Sequence, residues 1–351
     1  MRERLRIWIA FCLYYSGLLR LALWARQRSG RRLIILNYHR AAGHLHAQLR
    51  YFRRHYRIMH LEEALEEFYA APVEGVTQRE KHERDRRIPL VLTFDDGYVD
   101  NYRYAFPLIC SLQIPITIFV IPGYVESGEC FWWLAPTELV QSATVEKVSI
   151  EEKTYVLSLS EDRAALVNVI DRLIRYAPSV AERERTLSHL QEALGTTLPR
   201  RGLGGENDSA LPINWEQIRE MEASGLVSFG AHTMHHPLLS SLPDLAEVQH
   251  EVAESRRILE QKLGHPVHTF AYPIGKPSDF GDQGVEAVRA ADFRWAVTTL
   301  EEQNTPQTDP YLLARLPGNI RVHWMVMAAE LVGMLGVVSQ IRKRYARLFK
   351  R

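Results

Sequence analysis

The sequence has few cysteines, no excess of charge of one sign and no long uninterrupted apolar run. Its three cysteines are widely spaced and form no CxxC pair, which argues against a disulfide framework and a cysteine zinc site and favours a reducing compartment. A formal net charge of +1 gives no reason to expect nucleic acid as a partner. With 351 residues, the chain can form one large α/β domain with an insertion, or two modest domains.

Both termini carry a short apolar stretch with basic flanks. The first begins at Ile7 and is interrupted by Arg20, so it is shorter than the ~20 residues that a spanning helix needs. It also lacks a clean signal-peptide cleavage site. Tryptophans near both ends and surrounding arginines fit a helix at a membrane interface, which we favour over a helix packed on the protein body. The stretch 324–338 precedes six basic residues and predicts a second contact with anionic lipid.

Between the termini, apolar strands alternate with amphipathic helices. Asn214 and Gln217, for example, have the spacing of a capped helix start. Repeated β-α units predict a parallel sheet, with functional residues at the carboxyl ends of its strands. The predicted segments are an N-terminal amphipathic membrane-associated segment (1–32), the first part of the α/β domain (33–123), a mostly helical insertion (124–212), the second part (213–320) and a C-terminal amphipathic basic helix (321–351).

Predicted strands end in residues that can carry chemistry. These strand ends carry His39, Asp95-Asp96, His232 to His236, and Pro273-Ile274-Gly275. An Asp-Asp-Gly triplet by itself is more often a simple turn. Because several reactive strand ends coincide at one edge of the sheet, we favour an active site. The aromatic run 131–133 opens the insertion and could stack on a sugar, although packing is the commoner role of a Trp-Trp pair.

A metal site is the first chemistry that these residues suggest. His232 and His236 are four residues apart, so on one helical turn both imidazoles would face the same side. Two neutral imidazoles and one carboxylate suit zinc and leave coordination positions open, and Asp96 is the natural third ligand. His235 faces elsewhere in that geometry and is expected to be structural.

The second carboxylate, Asp95, is the candidate general base. Adjacent side chains diverge, so Asp95 is free to take a proton from a water that the cation activates. A backbone N–H near Ile274 or Tyr98 could hold the oxyanion, and Tyr272 is a further candidate for substrate contact. Cleavage of an amide needs a general acid, for which His39 is the best-placed candidate; a histidine satisfied by hydrogen bonds at a strand end is the alternative.

The motifs Thr93-Phe94-Asp95-Asp96-Gly97 and His232-Thr-Met-His-His236-Pro237 resemble those of the polysaccharide deacetylase family, carbohydrate esterase family 4 with the NodB homology domain. The resemblance covers about residues 33–320. It implies a distorted, incomplete (β/α) barrel of about seven strands and a divalent metal, usually zinc. It also implies Asp95 as the base and Asp96, His232 and His236 as ligands.

Two departures from the family pattern stand out. Phe270-Ala271-Tyr272-Pro273-Ile274-Gly275 lacks the arginine that would steady the base and the tyrosine before the glycine, although the Ile274 amide could still serve. The Asp-x-x-Asp-Trp motif and a late Leu-x-His are not recognisable, and 314–317 stands where the latter is expected. The opening Leu36-Asn-Tyr38-His39-Arg40 is similar to the circularly permuted poly-N-acetylglucosamine deacetylases, in which the late histidine motif comes first. On that likeness His39 takes the acid role.

The predicted function is therefore metal-dependent removal of N-acetyl groups from an amino sugar. The expected substrate is a bacterial exopolysaccharide or a lipid-linked glycan, handled peripherally at the inner membrane, with the cytoplasmic face preferred to the periplasmic one. An O-acetyl esterase with the same site is one alternative. A catalytically inactive glycan-binding protein is another, but it needs no base beside a metal. A mononuclear iron oxygenase shares the ligand types, yet Asp96 and His232 are far apart in sequence.

Overall fold

Of the ten strands found in the described residues, eight form one parallel sheet, which curls into an open half-barrel. The structure, a computed structural model, describes residues 2–28, 32–70, 85, 87–202 and 208–335. In chain order, the strands are β1 (Ile34–Tyr38), β2 (Arg57–Ile58), β3 (Pro89–Phe94), β4 (Ile116–Val120), β5 (Lys147–Ile150), β6 (Lys153–Val156), β7 (Val227–Ala231), β8 (Thr269–Ala271), β9 (Trp295–Val297) and β10 (Leu316–Pro317). Strands β5 and β6 form a separate antiparallel hairpin.

The order of strands across the sheet is β10-β1-β3-β4-β7-β8-β9, and β2 pairs with the first half of β3. Every pairing in this sheet is parallel. The register aligns the carboxyl ends, since Tyr38 lies opposite Phe94 and Val120 opposite Ala231. The predicted α/β fold, a distorted and incomplete (β/α) barrel, is therefore confirmed.

Helices connect the strands, and several of them pack on the outside of the half-barrel. In chain order, the helices are α1 (Arg2–Tyr15), α2 (Leu18–Gln27), α3 (Leu45–His55), α4 (Leu61–Tyr69), α5 (Phe106–Leu112), α6 (Pro122–Ser127), α7 (Ala135–Ser142), α8 (Ser160–Arg175), α9 (Val180–Leu194), α10 (Trp215–Ala223), α11 (Leu245–Leu263), α12 (Pro277–Ala290) and α13 (Trp324–Leu331). A π-helical turn, Asn101–Ala105, precedes α5, because Pro107 at the start of α5 has no N–H to continue an α-helical ladder backwards.

The central strands are buried on both faces, as expected for a parallel sheet. Alternate residues such as Leu36 and Leu92 face the outer helices and belong to the largest hydrophobic core. Their neighbours Ile35 and Val91 face the inside of the barrel, where they share a second cluster with residues of α4. The same alternation continues to the end of β3 and turns Asp95 towards the barrel interior.

The chain between β4 and α10 builds its own hydrophobic core beside the barrel. Its buried residues include Phe131, Leu139, Leu166 and Ile170, contributed by α7, α8 and the preceding loop. Where the structure describes it, the region predicted as a mostly helical insertion thus holds four helices, α6 to α9, and the β5–β6 hairpin. The exact segment boundaries stay a prediction.

The C-terminal apolar stretch is part of the core instead of an exposed face. Helix α13 packs against α1 and α3, and its apolar side chains from Met325 to Ala329 are buried. Apolar periodicity in a sequence does not show whether the apolar side of a helix faces lipid or protein. The apolar side of α13 faces protein. In its described part, this stretch is therefore covered by protein, and the lipid contact of the C-terminal segment stays a prediction. The basic residues from Arg342 onward lie outside the described residues.

Helix α10 begins with the capping box that the sequence predicted. The Asn214 side chain accepts a hydrogen bond from the Gln217 N–H at 2.8 Å, and the Gln217 side chain accepts one from the Asn214 N–H at 3.0 Å. We expect Asn214→Ala to lower the free energy of unfolding by about 1 kcal/mol, because orphan N–H groups lose their acceptors. Urea denaturation measures this change. Asn214→Ser, which can still cap, is the control; equal losses in both variants would contradict the capping role.

Candidate active site

The predicted site residues converge at the carboxyl ends of neighbouring strands. Asp95 and Asp96 follow β3, and His232 follows β7. The Asp95 N–H donates to the Tyr38 carbonyl at 2.8 Å, and the His232 N–H donates to the Val120 carbonyl at 3.0 Å. These bonds extend the strand ladders by one residue, so the functional side chains are placed by rigid backbone.

Asp96, His232 and His236 form one buried cluster. Oδ1 of Asp96 lies 3.5 Å from Nε2 of His232 and 3.7 Å from Nε2 of His236. One donor atom from each of the three residues lies within 4.8 Å of the other two, so a single ion can contact all three. A carboxylate and two imidazoles suit a divalent metal and leave coordination positions open.

The hydrogen bonding of the two histidines fits a metal site. Nδ1 of His232 donates to the Ala271 carbonyl at 2.7 Å, which leaves the Nε2 lone pair facing the cluster. Burial and the neighbouring His232 lower the pKa of His236 to about 3, which keeps its ring neutral. A neutral imidazole is the form that binds metal.

The sequence suggested that the two histidines lie on one helical turn. In the structure they instead meet across a loop. Residues 232–236 are non-helical, and Thr233 and His236 adopt the left-handed conformation, with φ of 59° and 55°. This conformation is costly for residues with a side chain and is maintained only where contacts enforce it. Here the Thr233 hydroxyl accepts a hydrogen bond from the His236 N–H at 3.0 Å.

Three residues elsewhere in the chain hold this loop, and the sequence indicated this role for none of them. Glu251 on α11 accepts hydrogen bonds from both the N–H and Nδ1 of His235, at 2.8 and 2.7 Å. Arg183 on α9 donates to the His235 carbonyl at 3.0 Å, and the Trp132 indole donates to the His236 carbonyl at 2.9 Å. His235 is thus structural, as expected, and Trp132 packs in the insertion core.

Asp95 is held apart from the cluster by a buried arginine. Nη1 and Nη2 of Arg315 donate to the two carboxylate oxygens of Asp95, each at 2.7 Å. The same guanidinium also donates to Thr93 and Thr298. Burial alone would raise the pKa of Asp95, but the charge and hydrogen bonds of Arg315 outweigh it and bring the pKa to about 2. Asp95 is therefore an ionised carboxylate in a fixed orientation.

The arginine expected to steady the base is thus present, but at another position in the chain. It is missing from the motif around Phe270, as the sequence shows, and Arg315 supplies the same charge from the strand segment before β10. The Arg315 N–H donates to the Leu300 carbonyl at 3.0 Å, which ties this segment to the chain leaving β9. One sequence signal was available, because an arginine inside the apolar run 312–316 requires a buried partner.

The backbone turns sharply between the two aspartates. Asp96 has a φ of 72° and is followed by Gly97 with a φ of 70°, so two consecutive residues lie in the left-handed region. In an extended strand, Asp96 would face the outer helices. The turn brings its carboxylate back to the histidines while Asp95 stays on Arg315.

The other predicted residues lie at different places around the site. His39 is exposed at the end of β1, and its carbonyl accepts a hydrogen bond from the Asn101 side chain at 3.0 Å. Ile274 follows β8 with a φ of 61°, a strained conformation for a β-branched residue. Its N–H donates to no group in the described part of the chain.

Tyr272 is not placed to contact a substrate through its side chain. Strand alternation turns Ala271 into the barrel and Tyr272 outward, where it is 1% exposed and its ring stacks on Phe280 at a centroid distance of 4.0 Å. The prediction of a substrate contact by this side chain is therefore not met.

An aromatic wall flanks the metal cluster on the insertion side. The half-buried Trp133 ring lies 4.4 Å from the His236 ring and stacks on Phe131 at 4.7 Å. Its indole N–H donates to the Tyr98 hydroxyl at 2.8 Å. Burial and the nearby Asp96 carboxylate raise the pKa of Tyr98 well above its usual value, so this phenol stays neutral beside the site.

Gly123 provides a test of how the loop positions the metal ligands. A Cβ at this position would overlap the Met234 carbonyl oxygen and lie 2.7 Å from the His235 ring. We expect Gly123→Ala to displace the loop and to weaken metal binding, measured with Zn²⁺ as the probe ion, by roughly tenfold to a hundredfold, the usual effect of disturbing groups that orient ligands. Competition with a fluorescent zinc chelator measures the affinity. Ser127→Ala, at the end of the same helix α6, is the control, and unchanged affinity in a folded Gly123→Ala protein would disprove the positioning role.

Comparisons with known proteins agree with this site. A family model described as polysaccharide deacetylase matches residues 82–295. No curated protein gives a significant match.

Three solved structures have a similar fold. The Streptococcus pyogenes deacetylase PplD, in complex with acetate, has a TM-score of 0.52 at 17% identity, covering 84% of this chain and 96% of PplD. IcaB from Ammonifex degensii gives 0.52 at 22%, covering 86% and 97%. The deacetylase domain of BpsB from Bordetella bronchiseptica gives 0.50 at 15%, covering 81% and 95%.

The family match begins before β3 and ends in β9, so it contains Asp95, Asp96, His232 and His236. His39 and Arg315 lie outside the matched residues and come to the site through the fold. The chain belongs to the polysaccharide deacetylase family and is a carbohydrate deacetylase with a buried Asp-His-His site for a divalent metal.

Proposed function

We propose that the protein hydrolyses N-acetyl groups of an amino sugar within a bacterial exopolysaccharide or a lipid-linked glycan. The observation that carries the proposal is the separation of two adjacent carboxylates. Asp96 joins two histidines in a metal-binding cluster, whereas Asp95 is paired with Arg315 and stays outside it. A site that only binds a glycan needs no such second carboxylate beside the metal.

Zinc is the metal that we propose. Two neutral imidazoles and one carboxylate are a common ligand set for catalytic zinc. When bound, such an ion polarises the acetyl carbonyl and lowers the pKa of a coordinated water. Asp96, His232 and His236 would hold it, and the hydrogen bond from His232 to the Ala271 carbonyl would keep the ligand ring oriented.

Asp95 is the proposed general base. Each carboxylate oxygen has two lone pairs, so Asp95 can keep both hydrogen bonds to Arg315 and still accept a proton from the attacking water. Its burial excludes competing solvent, and the arginine fixes the direction in which the free lone pairs point.

His39 is the proposed general acid for the leaving amine. It follows β1, the strand beside β3, and is exposed at the mouth of the barrel. Tyr38 lies opposite Phe94 in the sheet, so His39 and Asp95 are the next residues along two neighbouring parallel strands. His39 is therefore near both carboxylates while remaining outside the metal cluster, as a separate proton donor must be.

The acetyl oxygen becomes negatively charged when water adds to the carbonyl carbon, and this oxyanion needs a hydrogen-bond donor. We propose the backbone N–H of Ile274 for this role, because it is uncommitted in the described residues and its strained backbone is set by Gly275 and Thr299. Trp133 supplies an apolar wall beside His236, which suits an acetyl methyl group or the face of a sugar ring.

The setting that we propose is peripheral attachment to a bacterial inner membrane, with the cytoplasmic face favoured. It rests on the apolar and basic N-terminal helices. A substrate embedded in or made at the membrane would then be held near the enzyme.

The proposed roles of the two aspartates predict different metal contents for two variants, one at each position. We expect Asp96→Ala to lose bound metal and acetate release together, because the cluster loses its only carboxylate. Asp95→Asn should keep stoichiometric metal and lose at least about a hundredfold in acetate release from N-acetylglucosamine oligomers, the usual share of a general base. Metal analysis and an enzymatic acetate assay measure both.

Asp171→Asn, a carboxylate on α8 away from the site, is the control and should match the parent protein. Substantial acetate release by Asp95→Asn would remove Asp95 as the base. Release only from O-acetylated sugars would move the assignment to an esterase.

Arg315→Lys tests whether Asp95 needs a hydrogen bond to each of its two carboxylate oxygens in order to act as the base. Lysine keeps the positive charge but cannot donate to both carboxylate oxygens in one plane, so Asp95 should lose its orientation. We expect kcat to fall by about tenfold to a hundredfold, a part of the roughly hundredfold to ten-thousandfold that general-base catalysis supplies, with metal content unchanged. Arg289→Lys, at an exposed ion pair with Asp309, is the control. A kcat equal to that of the parent protein would show that charge alone suffices.

A further inference from the structure

Exposed apolar side chains are concentrated on the first two helices. Of the thirteen large hydrophobic side chains that are exposed in the described residues, eight lie on α1 and α2. We call them the α1–α2 face: Leu5, Ile7, Trp8, Phe11, Tyr15, Leu18, Leu21 and Trp24. Trp8 is 67% exposed and Tyr15 is 66% exposed. A patch of this kind on an otherwise polar surface marks an interaction site.

The opposite side of these helices is fixed to the protein body. Ala10, Leu13, Leu19 and Leu23 are buried in the main core. The ring of Tyr14 lies 5.0 Å from that of Trp324, at the start of α13. The helices therefore present a fixed outer face and are not a free tail.

Further polar contacts strengthen this attachment. Arg26 donates to the Leu331 carbonyl at 2.8 Å, and Arg6 pairs with Glu330. Both contacts tie the two helices to α13.

The arrangement fits a surface contact better than a membrane span. Among the described helices, none is by itself long and apolar enough to cross a bilayer; α1 and α2 meet that test only jointly, and they are bent by 73° at their junction. Because one side of the pair packs on the barrel, a span would have to detach it and expose that core. Lying flat, the pair keeps its core contacts and offers the outer face to lipid.

Charge identifies the kind of lipid. Helices α1 and α2, together with Arg28 directly after α2, contain six arginines and one acidic residue, Glu3. The exposed ones among them include Arg4, Arg20 and Arg28, and the Arg28 guanidinium lies 3.9 Å above the Trp24 ring. Arginines beside exposed tryptophans are the pattern of an interface with anionic headgroups.

A second copy of the chain is a poorer partner for this face. A two-fold contact would bring the same arginines of both copies together, with Glu3 as the one acidic residue of α1 and α2 to offset them. An anionic bilayer accepts both the apolar side chains and the positive charge. We propose that the α1–α2 face binds peripherally to the surface of an anionic phospholipid bilayer and so holds the catalytic domain at the membrane.

Vesicle flotation with the full chain tests this proposal directly. The probes are vesicles of phosphatidylcholine alone and vesicles containing about one third phosphatidylglycerol. We expect the parent protein to float with the anionic vesicles and to be released by high salt, since the arginines act through screened charge. Absence of binding to the anionic vesicles would overturn the proposal.

Two matched triple variants separate this face from other hydrophobic surface. Trp8→Ser/Phe11→Ser/Trp24→Ser should lower the bound fraction at least tenfold. Tyr104→Ser/Leu159→Ser/Tyr176→Ser removes side chains of 51%, 54% and 60% exposure elsewhere and should leave binding unchanged. Equal binding by both variants would overturn the proposal, because another part of the chain would then carry the contact.

The charge contribution is tested by Arg4→Gln/Arg20→Gln. This variant should bind anionic vesicles several-fold more weakly, and unchanged binding would contradict the role of these arginines. Acetate release from a soluble oligomer should stay at the parent level in all variants, which separates this proposal from the catalytic one. A dimer that the Trp8/Phe11/Trp24 variant converts to a monomer, without vesicle binding by the parent, would assign the face to self-association.

Discussion

The ion pair between Arg315 and Asp95 is the interaction on which the site depends. Two carboxylates on consecutive residues repel each other, and both are buried here. Arg315 neutralises one of them with two hydrogen bonds, and a metal ion at the histidine cluster would neutralise the other. The left-handed turn at Asp96 gives the two side chains separate directions. Without the arginine, Asp95 would be a buried, unpaired charge free to join the metal or to take up a proton.

The parts of this arrangement come from distant segments of the chain. Arg315 and Asp95 are 220 residues apart, and they meet because β10 lies beside β1, which lies beside β3. Across the site, Arg183 and Trp132 of the insertion hold the loop that carries His236. The insertion therefore both covers the rim of the barrel and sets the geometry of a metal ligand.

Helices α1 and α2 stand apart from this chemistry. They pack on α13, and α13 packs on α3, the helix that leaves the site after β1. A rigid chain of packed helices thus connects the α1–α2 face to the barrel. If lipid binds there, the orientation of the active site relative to the bilayer is fixed by the fold and does not rely on a flexible linker.

The sequence predicted those features that local patterns encode. Alternating apolar strands and helices indicated the parallel sheet, and the spacing of Asn214 and Gln217 indicated the start of α10. Asp96, His232 and His236 could be singled out because each directly follows or lies near a recognisable strand end. The structure brings these three together even though the helical reason given for the histidine pair was wrong.

The features that were missed depend on long-range contacts. Arg315 lies far from the motif that it completes, so only the fold reveals its partner. Tyr272 is adjacent to motif residues, yet strand alternation turns it into the core. The apolar residues of α13 have the same composition as a lipid-facing helix, and only packing against α1 and α3 shows that they are buried.

The central claim is that two adjacent carboxylates have different partners. A crystal structure of the zinc-loaded protein, with anomalous data collected at the zinc absorption edge, tests it most directly. The account predicts one anomalous peak at about 2.0–2.2 Å from Asp96 and from Nε2 of His232 and His236. Both oxygens of Asp95 should still be paired with Arg315. A zinc ion ligated by Asp95, or an Arg315 side chain turned away from it, would contradict the account.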